Sequence, residues 1–202
     1  MIAGQFPIDD NRVSFSLVAW YALANEAFMK RITALAIVFL VVFSSLKLSA
    51  QTPLPAGVSF DLGFSPSGSS LEVVLKAISS AKSTLLVACY EFTSRDIAAA
   101  LEAAAHHGIK VRIVADYKAA HDRYSQVPVI KAAGIPVRLD DHYAIFHHKF
   151  IIIDSVSVET GSFNYTTAAI EHNAENALVL WNVPPIATRY TTEFERLWAE
   201  SQ

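Results

Sequence analysis

His147, Lys149 and Asp154 lie in the run His147-His148-Lys149-Phe150-Ile151-Ile152-Ile153-Asp154, and Gly161-Ser162-Phe163-Asn164 follows after six further residues. A neutral imidazole is both a nucleophile and a proton carrier, and an ammonium is a compact fixed charge. His147 and Lys149 stand two apart at the start of an apolar, β-type stretch, and residues two apart on a strand project from the same face. Such a pair suits a phosphate. The imidazole can attack phosphorus while the ammonium holds the non-bridging oxygens. Ser162 and Asn164 add a hydroxyl and an amide donor, with Gly161 allowing backbone to approach an anion. His148 is expected on the opposite face, in packing or hydrogen bonding away from this chemistry.

Other reactive side chains have weaker claims. His142, His147 and His148 with Asp140 and Asp141 could be read as metal ligands, but their spacing matches no standard zinc pattern and Lys149 would repel a cation. Cys89 is the only cysteine, so no intrachain disulfide is available, and its place in an apolar run marks it as a core residue. His106 and His107 fall at a helix C-terminus, where the dipole favours imidazolium without any function. Tyr143 and Phe146 are read as walls of the site, and Tyr165 as packing. Asp116 and Tyr117 end a strand and have no assigned role.

The elements that must position these residues alternate along the chain. Val58 to Leu62 reads as a strand. Ser69-x-x-Glu72 reads as a capping box that opens a helix to about Lys82. Thr84 to Tyr90 reads as a buried strand, followed by an Ala-rich helix capped by Thr93 or Ser94 and stopped at Gly108. Val111 to Ala115 is a strand, Ser125 to Ala133 a helix ending at Gly134, and Ile135 to Leu139 a strand. Phe150 to Ile153 and Val156 to Glu159 form a hairpin about Asp154-Ser155. Ala177 to Trp181 is the last strand, and Pro184-Pro185 opens a helix that ends near Glu200. Strand–helix alternation followed by hairpin-linked strands implies an α/β sandwich around a mixed sheet, in one domain.

The stretch from His147 to Asn164 resembles the signature of the phospholipase D superfamily, His-x-Lys-x4-Asp-x6-Gly-Ser-x-Asn. His147, Lys149, Asp154, Gly161, Ser162 and Asn164 meet all of its fixed positions. A chance match is expected on the order of once in 10⁷ starting positions at average residue usage, so coincidence is set aside. The likeness extends over nearly all of 56–202 and is greatest to small, exported, one-motif bacterial endonucleases. The resemblance implies a phospholipase D-like α/β fold, a covalent phosphohistidine at His147, phosphate binding by Lys149 and Asn164, and loop positioning by Ser162. It also implies that Glu175 orients the imidazole from behind. Asp154, although part of the motif, is implied to be structural. No metal or other cofactor is needed. One motif lacks a second histidine to protonate the leaving oxygen, so a homodimer with a shared site is expected.

Composition bounds the reading further. Met29-Lys30-Arg31, the 12-residue apolar run Ile32 to Phe43 and Leu48-Ser49-Ala50 have the order of a secretory signal peptide cleaved after Ala50. The run is short of the roughly 20 residues that span a bilayer, so membrane contact is expected only during export. The expected product is periplasmic or secreted. Residues 1–28 precede that signal and read as an upstream extension that is not translated, leaving 51–202 as the catalytic domain. That domain has 12 Lys and Arg against 16 Asp and Glu, a formal charge of −4. A polyanion site must then be a local basic patch, for which Lys110, Arg112, Lys118, Arg123, Lys131 and Arg138 are candidates, with scattered solvated charge as the competing reading. The expected activity is metal-independent cleavage of DNA or RNA phosphodiesters with little sequence preference. The rivals are a phospholipase D-type lipid hydrolase or phosphatidyltransferase, which the acidic balance favours, and a non-catalytic binding protein, whose mark would be a broken motif.

Overall fold

The structure, a computed structural model, describes residues 25, 28–29 and 52–202. The expectations for the extension 1–28 and the signal segment 29–50 therefore concern residues that, apart from Asn25, Phe28 and Met29, lie outside those described.

Among the described residues, seven strands form one mixed sheet. β1 (Ser59–Ser65) leads into α1 (Ser69–Ser79), and β2 (Thr84–Cys89), α2 (Arg95–His106) and β3 (Lys110–Asp116) follow. Two short helices, α3 (Tyr117–Ala120) and α4 (Val127–Ala132), lead to β4 (Val137–Asp140). The second half holds β5 (Lys149–Ile153), β6 (Ser157–Gly161), α5 (Thr167–Glu171), β7 (Glu175–Trp181) and α6 (Pro184–Glu200). The strand order is β1-β7-β6-β5-β2-β3-β4. β2, β3 and β4 are parallel, and every other neighbouring pair is antiparallel. This is the expected α/β sandwich around a mixed sheet.

Both faces are covered, which explains why β2 and β5 read as unbroken apolar runs. α1, α2, α4 and α5 send Val74, Ile78, Ile97, Leu101, Ile130 and Ala169 onto one face, against Val87, Ile113, Ile151 and Val179. α6 alone packs the other, its Ala187, Phe194 and Leu197 meeting Leu86, Val114, Ile152 and Val158. Burying this apolar surface stabilises the fold by roughly 1.5–3 kcal/mol for each large side chain taken fully from water.

Several local readings change. β1 runs on to Ser65, beyond the expected end at Leu62. No capping box forms at Ser69: Gly68 is the N-cap, and the Ser69 hydroxyl instead bonds the backbone N–H and carbonyl of Phe64. Two main-chain groups near the end of β1 thus outcompete the helix's own first amides. Ser94, not Thr93, caps α2, accepting from Ile97 N at 3.3 Å. The Asp154-Ser155 hairpin is present, both residues having positive φ (51° and 58°), as the tightest hairpin turns require.

Candidate active site

Antiparallel pairing of β2 with β5 sets Cys89 opposite Lys149. The residues just past the end of β2, Tyr90 and Glu91, therefore meet those at the start of β5. The Tyr90 ring lies 4.9 Å from the His147 imidazole and 5.4 Å from the Lys149 ammonium, centroid to centroid and Nζ to centroid respectively. His147 is exposed and its imidazole makes no hydrogen bond among the described residues. Lys149 is only 8% exposed, and its ammonium donates to the His147 carbonyl at 3.0 Å. Burial lowers its pKa, partly offset by the charges of Glu175 and Glu91. No carboxylate among the described residues lies within ion-pair distance of it. A buried ammonium without a direct counter-ion is an anion site in waiting, because a bound anion would offset its desolvation cost.

The loop after β6 closes the other side. Gly161 is forced by the sheet: a Cβ there would lie 2.1 Å from the Asn176 carbonyl oxygen. Its purpose is close approach of β6 to β7, which corrects the expected role in backbone contact with an anion. The Ser162 hydroxyl donates to Glu175 Oε2 at 2.5 Å and accepts from the Asn176 N–H at 3.1 Å. Asn173 Nδ2 donates to the other Glu175 oxygen at 3.1 Å. Glu175 is thus brought into the site but bonded to Ser162 and Asn173, not to His147 as expected. Pairing of Gly161 with Ala177 explains this, since it puts Ser162 beside the start of β7.

Asn164 donates to Glu91 Oε2 at 3.4 Å, and its own amide oxygen is buried without a partner. Tyr165 bridges to Phe92, and its carbonyl accepts from the N–H groups of Thr93 and Ser94 at 3.0 and 2.9 Å. Its hydroxyl donates to Glu159 Oε2 at 2.7 Å inside the core. Burial pushes the Glu159 carboxyl up to about 8 although the Tyr165 bond opposes the shift. Tyr165 is packing, as read, but it also fastens the loop to the end of β2.

The remaining candidates separate clearly. Asp154 belongs with the motif but not with the chemistry: although it stands in the motif with the candidate catalytic residues, its bonds are the structural ones that the resemblance implies. It stands past the far end of β5 and accepts from Lys82 N, Ser83 N, Ser83 Oγ and Thr84 N at 2.8–2.9 Å. Burial raises its pKa, but these donors outweigh burial and hold the carboxyl below its ordinary value. His148 projects to the α6 face, edge-on to Phe146 and Phe150, and burial lowers its pKa. Cys89 is buried in the core, which pushes its thiol up to about 12.

Asp116, unassigned from sequence, caps α3 and accepts from Phe146 N at 2.9 Å, anchoring the segment that leads into His147. Phe146 is core rather than wall, and Tyr143 joins Arg196 and Glu200 at the surface. Asp140 accepts from Tyr143 N and Ser201 Oγ. Arg112 pairs with Glu195, and Arg138 bonds the Trp198 carbonyl, both beneath α6, so neither belongs to a free basic patch. Tyr90 and Glu91 were missed in the sequence because only the β2–β5 pairing, which joins Cys89 to Lys149 from 60 positions apart in the chain, makes them neighbours of the motif.

A family model described as "Cardiolipin synthase, PLD-like domain" matches residues 74–198. The chain belongs to the phospholipase D-like family. Among curated members of that family, the mitochondrial cardiolipin hydrolase of Mus musculus is 35% identical over 155 residues, covering 77% of this chain and 69% of the relative. That of Homo sapiens is 34% identical over 132 residues, 65% and 52% respectively. A Rickettsia conorii phospholipase D is 34% identical over 117 residues, 58% of each. Several of these relatives are thus matched over little more than half their length. Among solved phospholipase D-like structures, Nuc from Salmonella typhimurium superposes with a TM-score of 0.70 at 42% identity, covering 72% of this chain and 97% of Nuc. NucT from Helicobacter pylori gives 0.66 at 28%, covering 71% and 98%. The family is one of phosphodiester hydrolases, and the site has the groups that such a reaction uses.

Proposed function

We propose that this protein is a metal-independent, non-specific endonuclease that works as a homodimer through a phosphohistidine at His147. The observation that carries the reading is the exposed His147 imidazole and the buried Lys149 ammonium, which has no carboxylate partner, set against the same Tyr90 ring, with the Asn164 amide bonded to the adjacent Glu91. His147 attacks phosphorus, forming a P–N bond as the P–O bond to the leaving group breaks. Lys149 and Asn164 hold the non-bridging oxygens, on which negative charge builds in the transition state. The leaving alkoxide takes its proton from the second copy's imidazole, the general acid that one motif lacks. Water then attacks the phosphohistidine, giving a phosphomonoester and returning the imidazole. The near-complete coverage of Nuc at 42% identity supports a nucleic-acid substrate over a lipid.

The names of the curated relatives favour a second reading, hydrolysis of cardiolipin or a similar phospholipid. One comparison separates the two. Purified protein and His147→Asn are incubated with plasmid DNA, and separately with cardiolipin vesicles, in excess EDTA. The nuclease reading expects cleavage of DNA by the native protein, reduced about 10³-fold or more in the variant. Turnover of vesicles without any of DNA would replace it with the lipid reading.

A further inference from the structure

Glu91 puts a carboxylate where a phosphate-binding site should be positive. Its Oε2 is the acceptor for the Asn164 amide at 3.4 Å, the donor assigned above to a non-bridging phosphate oxygen. It also lies close enough to Lys149 for its charge to act on that ammonium, as Glu175 does. Within one chain, the site thus sets the Lys149 ammonium against the carboxylates of Glu91 and Glu175. The long Asn164 contact is a weak one, easily given up to a better acceptor. A resident carboxylate of this kind penalises any incoming anion in proportion to the anion's charge. A phosphodiester carries one negative charge. A phosphomonoester carries about 1.5 to 2 at neutral pH, its second pKa being about 6.

We propose that Glu91 makes the site selective for singly charged phosphodiesters over doubly charged phosphomonoesters. The inference rests on the phosphodiesterase reading but not on which diester is cut, since nucleic-acid and phospholipid cleavage both leave a monoester. Glu91 holds the Asn164 amide loosely enough to yield it to substrate, and its charge then weakens retention of the product. It is a specificity-determining residue that discriminates by charge, while bond formation and proton transfer belong to His147.

The test compares two ligands on the full chain at pH 8, phenyl phosphate as monoester and dimethyl phosphate as diester. Binding is followed through the Asn164 side-chain amide resonance in native protein, Glu91→Gln and Glu91→Ser. Gln keeps the acceptor for Asn164 and removes only the charge. Ser removes both, and it decides the matter if the Gln variant does not fold. Glu72→Gln in α1 controls for net charge. The proposal expects the monoester to bind about tenfold tighter without the Glu91 charge and the diester about threefold or less, with no change in the control. Equal tightening of both ligands, or none, would overturn it. Turnover of bis(4-nitrophenyl) phosphate by native protein is measured alongside. Its absence would count against the phosphodiesterase reading, whereas the ratio of the two affinities judges Glu91 alone.

Discussion

Glu159 carries a carboxyl into the centre of the sheet with a single hydrogen bond, from Tyr165, while its Oε1 has no partner. Its folded-state pKa is raised from 4.5 to about 8. Between those values the native chain keeps a proton that the unfolded chain releases. Stability therefore falls as pH rises through that window, by up to about 1.4 kcal/mol per pH unit, and this contribution is level on either side. Glu159→Gln retains an acceptor for Tyr165 and cannot ionise. Denaturant midpoints at pH 5, 7 and 9 are expected to show the native protein losing stability across the series relative to the variant. Parallel profiles would mean that Glu159 is already ionised at pH 5. The same pair bears on catalysis at one remove, because Tyr165 follows Asn164 and its carbonyl holds the start of α2.

At the scale of elements, the motif is divided between two ends of one strand. β5 presents Lys149 at one end and leads to Asp154 at the other, roughly 16 Å away at about 3.3 Å per residue. Asp154 fastens the β5–β6 turn to the residues that open β2, so it keeps in register the two strands whose opposite ends meet at Tyr90 and His147. Asp154→Asn is expected to cost about 1 kcal/mol, lowering Tm by about 2–4 °C, because the charge-assisted bonds from Lys82, Ser83 and Thr84 are lost and some of these donors then face an NH₂ group. Activity per folded molecule should stay within about threefold; a loss as large as that of His147→Asn would put Asp154 back in the chemistry. Most strands and the larger helices were legible in the sequence, since apolar runs and caps such as Ser94 are local signals. The short helix α3 was not, because its cap, Asp116, also looks like the end of a strand. Ser69 misled because its hydroxyl found Phe64 of β1, a partner that only the tight return of the chain after β1 brings within reach. The site was half legible. Residues joined by spacing could be read, whereas Glu91, Tyr90 and the bond from Ser162 to Glu175 depend on strand register.

For the whole molecule, the sheet is covered unevenly. α6 protects the middle of one face, but β1 presents Phe60 (67% exposed), Leu62 and Phe64 (55%) in alternate positions, paired with Leu180, Leu178 and Asn176 of β7. Asn176 also bonds Ser162, so this apolar stripe runs up to the edge of the site. We propose that the second copy required by the proposed chemistry seats there and covers the stripe. Replacing Phe60 and Phe64 together by Asp is expected to give a folded monomer by light scattering, with cleavage reduced at least about 100-fold. A variant that stays paired and active would place the contact elsewhere. A site shared in the proposed way would also set a kinetic order. Chains whose only general acid belongs to a neighbour work at a rate that rises with the square of their concentration when dilute, and linearly once paired. A newly made copy, alone among its host's own nucleic acids, would then be dormant through scarcity of partners, with no inhibitor required.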